Sequence, residues 1–172
     1  MSFLGYVTLG TTLYSDVVTR STTNVPTNSD ALPAYRIYGP DGLMTSGTGT
    51  GALRNTGSIT TTTGNGVNPI VITSAAHGLT VGTRVTISGV VGNTAANGTF
   101  AITAVTTDTF SVSASGNGAY VSGGTWNVSG LYLITHAISS GNGYEAGTTY
   151  TILVSYAISS TSLAQTYTFI AS

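Results

Sequence analysis

Charged side chains are scarce in this sequence. Only 5% of its 172 residues are charged, against about 25% in an ordinary soluble domain, and lysine is absent. The net charge is −1, and the four basic residues are scattered: Arg20, Arg36, Arg54 and Arg84. Because nucleic-acid binding depends on clustered basic side chains, we expect no nucleic-acid partner. A surface with so little charge favours a protein that works inside a large assembly.

Cysteine is absent as well, which excludes disulfides, thiolate metal sites and cysteine nucleophiles. Residues 1–5 lack the basic segment and the apolar run of a secretory signal peptide. No stretch approaches the roughly 18 apolar residues of a membrane-spanning helix. We therefore expect synthesis in the cytoplasm, no Sec-type export and no membrane partner.

Helix signals are also nearly absent, whereas Thr, Val, Ile, Ser and Tyr are abundant and 23 glycines punctuate the chain. This composition is typical of strands joined by tight turns, so the predicted fold class is all-β. A break at Gly10-Thr11 predicts a hairpin between residues 3–9 and 13–19, and small residues predict a connection at 45–51. The other predicted strands are 34–38, 57–62, 69–73, 84–88, 98–105, 109–113, 130–137, 149–158 and 165–171.

The middle of the chain has a rhythm of its own. Its short strands and turns suggest a small barrel or sandwich, and Gly- and Thr-rich stretches at 60–68 and 115–124 are predicted to be flexible joints. We therefore predict a β-sandwich host domain, residues 1–58 and 126–172, that carries an inserted small β-barrel-like domain at 59–125. Exposed loop tips are where a host tolerates such an insertion.

Three motifs in this middle segment resemble a known module. They are His77-Gly78-Leu79, the Gly-x-x-Val-x-Ile of 82–87 and the Asn-Gly-x-Phe of 97–100. Together with the segment that closes at Trp126, they resemble a module widespread in bacteriophage structural proteins. That module is similar to the first catalytic-cysteine half-domain of ubiquitin-activating enzymes, a small β-barrel that does no chemistry itself.

The outer part resembles small phage virion proteins of the β-sandwich type, in segments 31–38, 130–132, 143–152 and 165–169. The resemblances imply a non-enzymatic virion protein made in the bacterial host, in particular a capsid decoration or auxiliary head protein. It would bind the major capsid protein or other virion subunits, in many copies or as a homo-oligomer, and display its insert outward. The alternatives are a tail or fibre component, or a receptor- or carbohydrate-binding module whose contact loops are 22–32 and 139–146.

Candidate catalytic and metal-binding residues are few. The simpler interpretation of His77 is a turn residue whose imidazole bonds the local backbone while Leu79 fills the barrel, and His136 lies at the end of a strand. Two histidines do not make a zinc site, and the five carboxylates show no calcium-loop spacing. A glycosidase would need two carboxylates facing each other across a sugar. We expect no catalytic residue, no metal and no cofactor.

Aromatic and arginine side chains are the better candidates for function, because both are favoured at protein contacts. Alternation along strand 34–38 places Arg36 and Tyr38 on one face, opposite Tyr35 and Ile37. Residues 1–9 are predicted to be a docking arm with an exposed strand edge. The candidate interface residues are Phe3, Tyr6, Arg36 and Tyr38, although ordinary solvated strand residues would explain the same pattern.

One face of the strand 149–158 is predicted to be core, and it carries Tyr150, Ile152, Val154 and Tyr156. Trp126 is predicted to anchor the junction with the insert.

Overall fold

The computed structural model describes residues 2–172 and confirms the all-β fold class. Within that range it has fifteen strands and two short 3-10 helices, Thr94–Ala96 and Ser140–Asn142. The strands are β1 (Ser2–Val7), β2 (Thr11–Val18), β3 (Ala34–Gly39), β4 (Gly42–Thr50), β5 (Ala52–Leu53), β6 (Thr56–Ser58), β7 (Thr61–Thr62), β8 (Ile70–Thr73), β9 (Arg84–Ser88), β10 (Gly98–Val105), β11 (Thr109–Val112), β12 (Thr125–Val128), β13 (Leu131–Ile138), β14 (Thr149–Ile158) and β15 (Thr161–Ala171).

The chain divides into two compact units, one formed by the residues up to Leu53 with Gly130–Ser172, and one by Arg54–Ser129. The first unit contains a five-stranded sheet, in the order β1-β15-β14-β3-β4, and a three-stranded sheet, in the order β2-β13-β5. The predicted hairpin between 3–9 and 13–19 is wrong. β1 runs parallel to β15 in one sheet, whereas β2 pairs with β13 in the other, so the turn around Gly10 connects the two sheets.

The two sheets of the first unit share one hydrophobic core, as in a β-sandwich. Leu13 and Ile134 of the smaller sheet belong to the same buried cluster as Ile37 and Ile152 of the larger one. The predicted core face of β14 is confirmed, because its alternate residues are all buried: Tyr150, Ile152, Val154 and Tyr156. Side chains at the intervening positions of β14 therefore lie on the opposite, outer face of the larger sheet.

The segment predicted as a connection at 45–51 lies almost entirely within β4, which pairs with β3. The glycines of this segment are small because β4 packs closely against residues of β3, and not because the chain turns there. A Cβ atom on Gly49 would lie 2.6 Å from the hydroxyl oxygen of Tyr35, and one on Gly47 would lie 2.9 Å from the carbonyl oxygen of Ile37. The small residues make room for the buried side chains of β3 and do not interrupt the strand.

The second unit is one seven-stranded sheet, in the order β6-β12-β9-β10-β11-β8-β7, and it is not closed into a barrel. The predicted barrel-like closure is therefore wrong. The strands at its two ends, β6 and β7, have only three and two residues and do not pair with each other. The sheet still encloses a core, because β10 pairs with β9 through its first half and with β11 through its second.

The core of the second unit includes Trp126, which is 3% exposed and packs with Ile59, Val85, Ile87 and Phe110. Trp126 lies on β12, which pairs with both β6 and β9. These pairings place β6 and β12 with the second unit. The unit accordingly extends four or five residues beyond each end of the 59–125 segment chosen from the sequence.

The two Gly- and Thr-rich flanks are held to each other by backbone hydrogen bonds, which contradicts their interpretation as flexible joints. Gly66 N–H donates to the Gly116 carbonyl, and Gly116 N–H donates to the Val67 carbonyl. The fully buried Asn93 donates to the Thr63 carbonyl at 2.7 Å and accepts from Asn117 N–H at 3.0 Å. A Cβ on Gly116 would lie 2.1 Å from the carbonyl oxygen of Gly64, so this close approach requires glycine.

Candidate functional site

The outer face of the five-stranded sheet carries a row of side chains that crosses all five strands. Phe3 on β1 pairs with Thr168 on β15, which pairs with Thr151 on β14. Thr151 pairs with Tyr38 on β3, and Tyr38 pairs with Leu43 on β4. Directly paired residues lie on the same face of a sheet. The row therefore begins and ends in large apolar side chains, since Phe3 is 57% and Leu43 is 51% exposed.

A β-bulge brings Tyr6 onto the same face as Phe3. Strict alternation would place residues three apart on opposite faces. Here Phe3 pairs with Thr168 and Tyr6 with Ile170, so three steps along β1 match two along β15. Gly5, at φ +101°, allows this extra residue. The two exposed rings meet edge to face, with centroids 6.0 Å apart.

Arg36 lies in the neighbouring row, where it pairs with Leu153 on β14 and Thr48 on β4. It is the only charged residue in the five strands of this sheet. Its guanidinium makes no hydrogen bond or ion pair with the described residues 2–172. The face thus combines one unpaired positive charge with aromatic, aliphatic and threonine side chains.

We call this surface the contact face. Its members are Phe3, Tyr6, Arg36, Tyr38, Leu43, Thr48, Thr151, Leu153, Thr166, Thr168 and Ile170. With strands about 4.8 Å apart and a rise of about 3.3 Å per residue, five strands and the five residues from Thr166 to Ile170 on β15 cover about 19 by 17 Å. That is roughly 300 Å², which is less than the ~800 Å² that each partner buries in a standard protein interface.

The contact face holds all four residues that the sequence singled out, Phe3, Tyr6, Arg36 and Tyr38. The sequence treated the first two as part of an arm, whereas β1 is a paired strand of the sheet; residue 1 of that arm lies outside the described residues. Leu43, Leu153 and Ile170 were missed. Alternation alone assigns them to an outer side, but only the pairing registers show that this side is shared with Phe3 and Arg36. Whether these residues bind a partner remains a prediction.

His136 lies in the core of the first unit between two tyrosine hydroxyls. Tyr35 Oη donates to the Thr135 carbonyl and lies 3.1 Å from Nδ1 of His136, while Tyr144 Oη lies 2.9 Å from Nε2. This arrangement fits a neutral imidazole that donates from Nδ1 and accepts at Nε2. Burial lowers the pKa of His136 and raises the pKa values of Tyr35 and Tyr144. The three side chains form a satisfied polar network within the core.

His77 belongs to the second unit and uses both ring nitrogens locally, as the simpler interpretation predicts. Its Nδ1 accepts from Leu79 N–H at 3.0 Å, so Nε2 carries the proton and donates to the Thr109 carbonyl at 3.0 Å. The ring packs edge to face on Phe110, and Leu79 is buried. Neither ring nitrogen has a lone pair free to bind a metal or accept a substrate proton.

Four of the five carboxylates lie in turns or loops, whereas Asp16 lies on β2. Asp30 accepts from the backbone N–H groups of Ser159 and Ser160, and Asp108 accepts from that of Ala76. Asp41 and Glu145 both line one depression of about 250 Å³, together with uncharged residues such as Met44, Asn142 and Tyr150. Two carboxylates supply fewer oxygen ligands than a protein calcium site uses. Among residues 2–172, no group of three or more His, Cys, Asp and Glu side chains is placed to hold a metal ion.

The two loops considered for carbohydrate binding lie at opposite ends of β14. Loop 22–32 is fixed to the end of β14 by the bonds from Asp30 to Ser159 and Ser160. Loop 139–146 lies at its start, where Glu145 N–H donates to Tyr150 Oη. The ten residues between them span about 33 Å. The two loops therefore do not form one contact surface.

In the part of the chain that the structure describes, no helix is long and apolar enough to cross a bilayer. No protein-family model matches this sequence, and a search of curated protein sequences finds no significant relative.

Proposed function

We propose that this chain is a non-enzymatic structural subunit of a bacteriophage particle, a capsid decoration or auxiliary head protein. In this proposal it attaches to the major capsid protein or to a neighbouring virion subunit through the contact face, in many copies per particle. The proposal takes the phage setting from the sequence resemblances. It takes the mode of action from the contact face.

The observation that carries the proposal is the composition of the contact face. A protein interface is depleted in charge and enriched in Tyr, Phe and Arg, with its binding energy concentrated in a few such residues. The contact face has this composition. Its exposed large side chains are Phe3, Tyr6 and Leu43, Tyr38 lies in the row that joins Phe3 to Leu43, and Arg36 is its single charged residue.

Attachment is assigned to the first unit because the contact face is built entirely from its strands. The second unit is then free to vary without loss of attachment. A tail or fibre location would use the same kind of face, so copy number decides between the positions. A protein that attaches to the repeated subunits of a head would be present in a number comparable with those subunits, whereas a component of a single tail tip would be present in a few copies.

The experiment is to purify particles of the encoding phage on a density gradient and to quantify the chain by mass spectrometry. We expect many copies per particle, comparable with the number of major capsid subunits or their clusters. A few copies would favour the tail or fibre alternative. Absence from washed particles would refute a structural role in the virion.

A further inference from the structure

The strongest unexplained feature of the contact face is its one charge. Arg36 is exposed, has no hydrogen bond or ion pair with residues 2–172, and is the only charged residue in the five strands. Resting on the proposed function, we infer that the surface which docks on the contact face presents a carboxylate to Arg36, surrounded by uncharged side chains.

Charge complementarity determines what the partner must supply to Arg36. A guanidinium that is covered by a partner loses its water and is strongly destabilised unless a carboxylate and further acceptors replace that water. The planar guanidinium has five N–H donors, which fit the two oxygens of a carboxylate side by side. The residues paired with Arg36 are Leu153 and Thr48, neither of which supplies a charge. The counter-charge must therefore come from the partner.

The same observation disfavours a second copy of this chain as the occupant. In a symmetric dimer formed by two contact faces, both arginines would be covered in one interface. The five strands contain no carboxylate that could pair with either of them. Asp41 is the nearest acid in sequence, but it lies in the β3–β4 turn, beyond the strands of the face. A different protein with an Asp or Glu among apolar and hydroxyl side chains fits the face better.

The test measures competitive incorporation into particles. Full-length variants are expressed in the host during infection, so that each competes with the phage-encoded wild-type chain for the same positions. Particles are purified, and the ratio of variant to wild-type peptides is compared with the ratio in the lysate. The variants are Arg36→Glu, Arg36→Gln and Arg36→Lys, with Arg84→Gln as the matched control because Arg84 is an exposed strand arginine on another sheet.

We expect about tenfold or greater depletion of Arg36→Glu, substantial depletion of Arg36→Gln, milder depletion of Arg36→Lys and none of Arg84→Gln. Thermal melts of the purified variants should match the wild type, since Arg36 is exposed and makes no internal bond. Normal incorporation of Arg36→Glu alongside depletion of Phe3→Ser and Tyr6→Ser would overturn the carboxylate inference and leave the proposed function standing. Absence of the wild-type chain from particles would overturn both.

A further measurement covers self-association. Sedimentation of the purified wild-type chain should show no dimer that depends on the contact face. Any dimer that does form should therefore persist in the Phe3→Ser and Arg36→Glu variants. A dimer that both substitutions dissociate would mean that a second copy occupies the contact face, and would overturn the inference.

Discussion

Gly57 and Trp126 are paired across β6 and β12, and the indole ring covers the glycine. A Cβ atom on Gly57 would lie 2.7 Å from three atoms of that ring, and the ring itself is buried. We therefore expect Gly57→Ala to destabilise the second unit by about 1–3 kcal/mol, the usual cost of overpacking a core. Trp126 is the only tryptophan in the chain, so its fluorescence during urea unfolding reports on this unit.

Gly64→Ala is the matched control for this substitution. It lies in the same unit at ordinary φ, and the nearest atom to its Cβ would be 4.0 Å away. Its unfolding midpoint should stay close to that of the wild type. Equal midpoints for the two variants would mean that the Gly57–Trp126 contact is not tight in solution.

Ser15 offers a stability test in the first unit. Its hydroxyl is buried and is the one buried side-chain N or O atom within residues 2–172 that has no hydrogen-bond partner. Ser15→Ala removes an unsatisfied polar group, so we expect the free energy of unfolding to rise by about 1 kcal/mol. Thr19→Val is the contrasting variant, because the buried Thr19 hydroxyl donates to the Thr27 carbonyl at 2.6 Å. It should lower stability, as measured by far-UV circular dichroism in urea.

The buried His136 should make stability depend on pH. Burial lowers its pKa in the folded chain below the value of about 6.5 expected when unfolded, so the unfolded chain binds the proton more readily. Its contribution is complete above pH 6.5 and is lost as the pH falls through the folded pKa. We expect the urea midpoint to decline over that interval in the wild type and to decline less in His136→Gln. An identical decline in both proteins would assign the effect to other groups.

Removal of the second unit should leave the first unit folded. Leu53 on β5 is paired with Tyr132 on β13, so the cut ends lie on adjacent antiparallel strands. Replacement of 54–129 by Asn-Gly leaves four residues, Asn, Gly, Gly130 and Leu131, between the paired residues Leu53 and Tyr132, and a loop of this length suits a hairpin. We expect a cooperative thermal transition and continued incorporation into particles. Loss of incorporation by a folded deletion variant would contradict the assignment of attachment to the first unit.

Much of the strand content was predictable, because alternation along a strand is a local property. The strand at 149–158 and its core-facing residues Tyr150 and Ile152 follow directly from the sequence. Pairing partners did not follow. The turn signal at Gly10 is genuine, yet nothing local shows that it connects two sheets. β4 was missed because its glycine content was taken as the sign of a connection. Gly49 in fact leaves room for the side chain of Tyr35, and that contact depends on the tertiary structure.

The candidate site was predictable to a similar degree. Arg36 and Tyr38 could be assigned to one face of a strand, since two-residue periodicity is enough for that. Their relation to Phe3 and Tyr6 depends on a parallel pairing between distant strands and on a bulge at Gly5. Neither has a distinctive sequence signal. The lone charge of the sheet became visible only when these registers were known.

The pairing of β1 with β15 also affects the order in which the newly made chain can fold. Ser2 cannot pair until Tyr167, its partner on the parallel strand, has been synthesised. At synthesis rates of up to about 20 residues per second, this is a delay of roughly eight seconds or more. Throughout that delay Phe3 and Tyr6 stand on an unpaired strand, a segment prone to aggregation. The yield of soluble protein in an expression strain should therefore respond to chaperone supply and growth temperature more strongly than the stability of the folded protein would suggest.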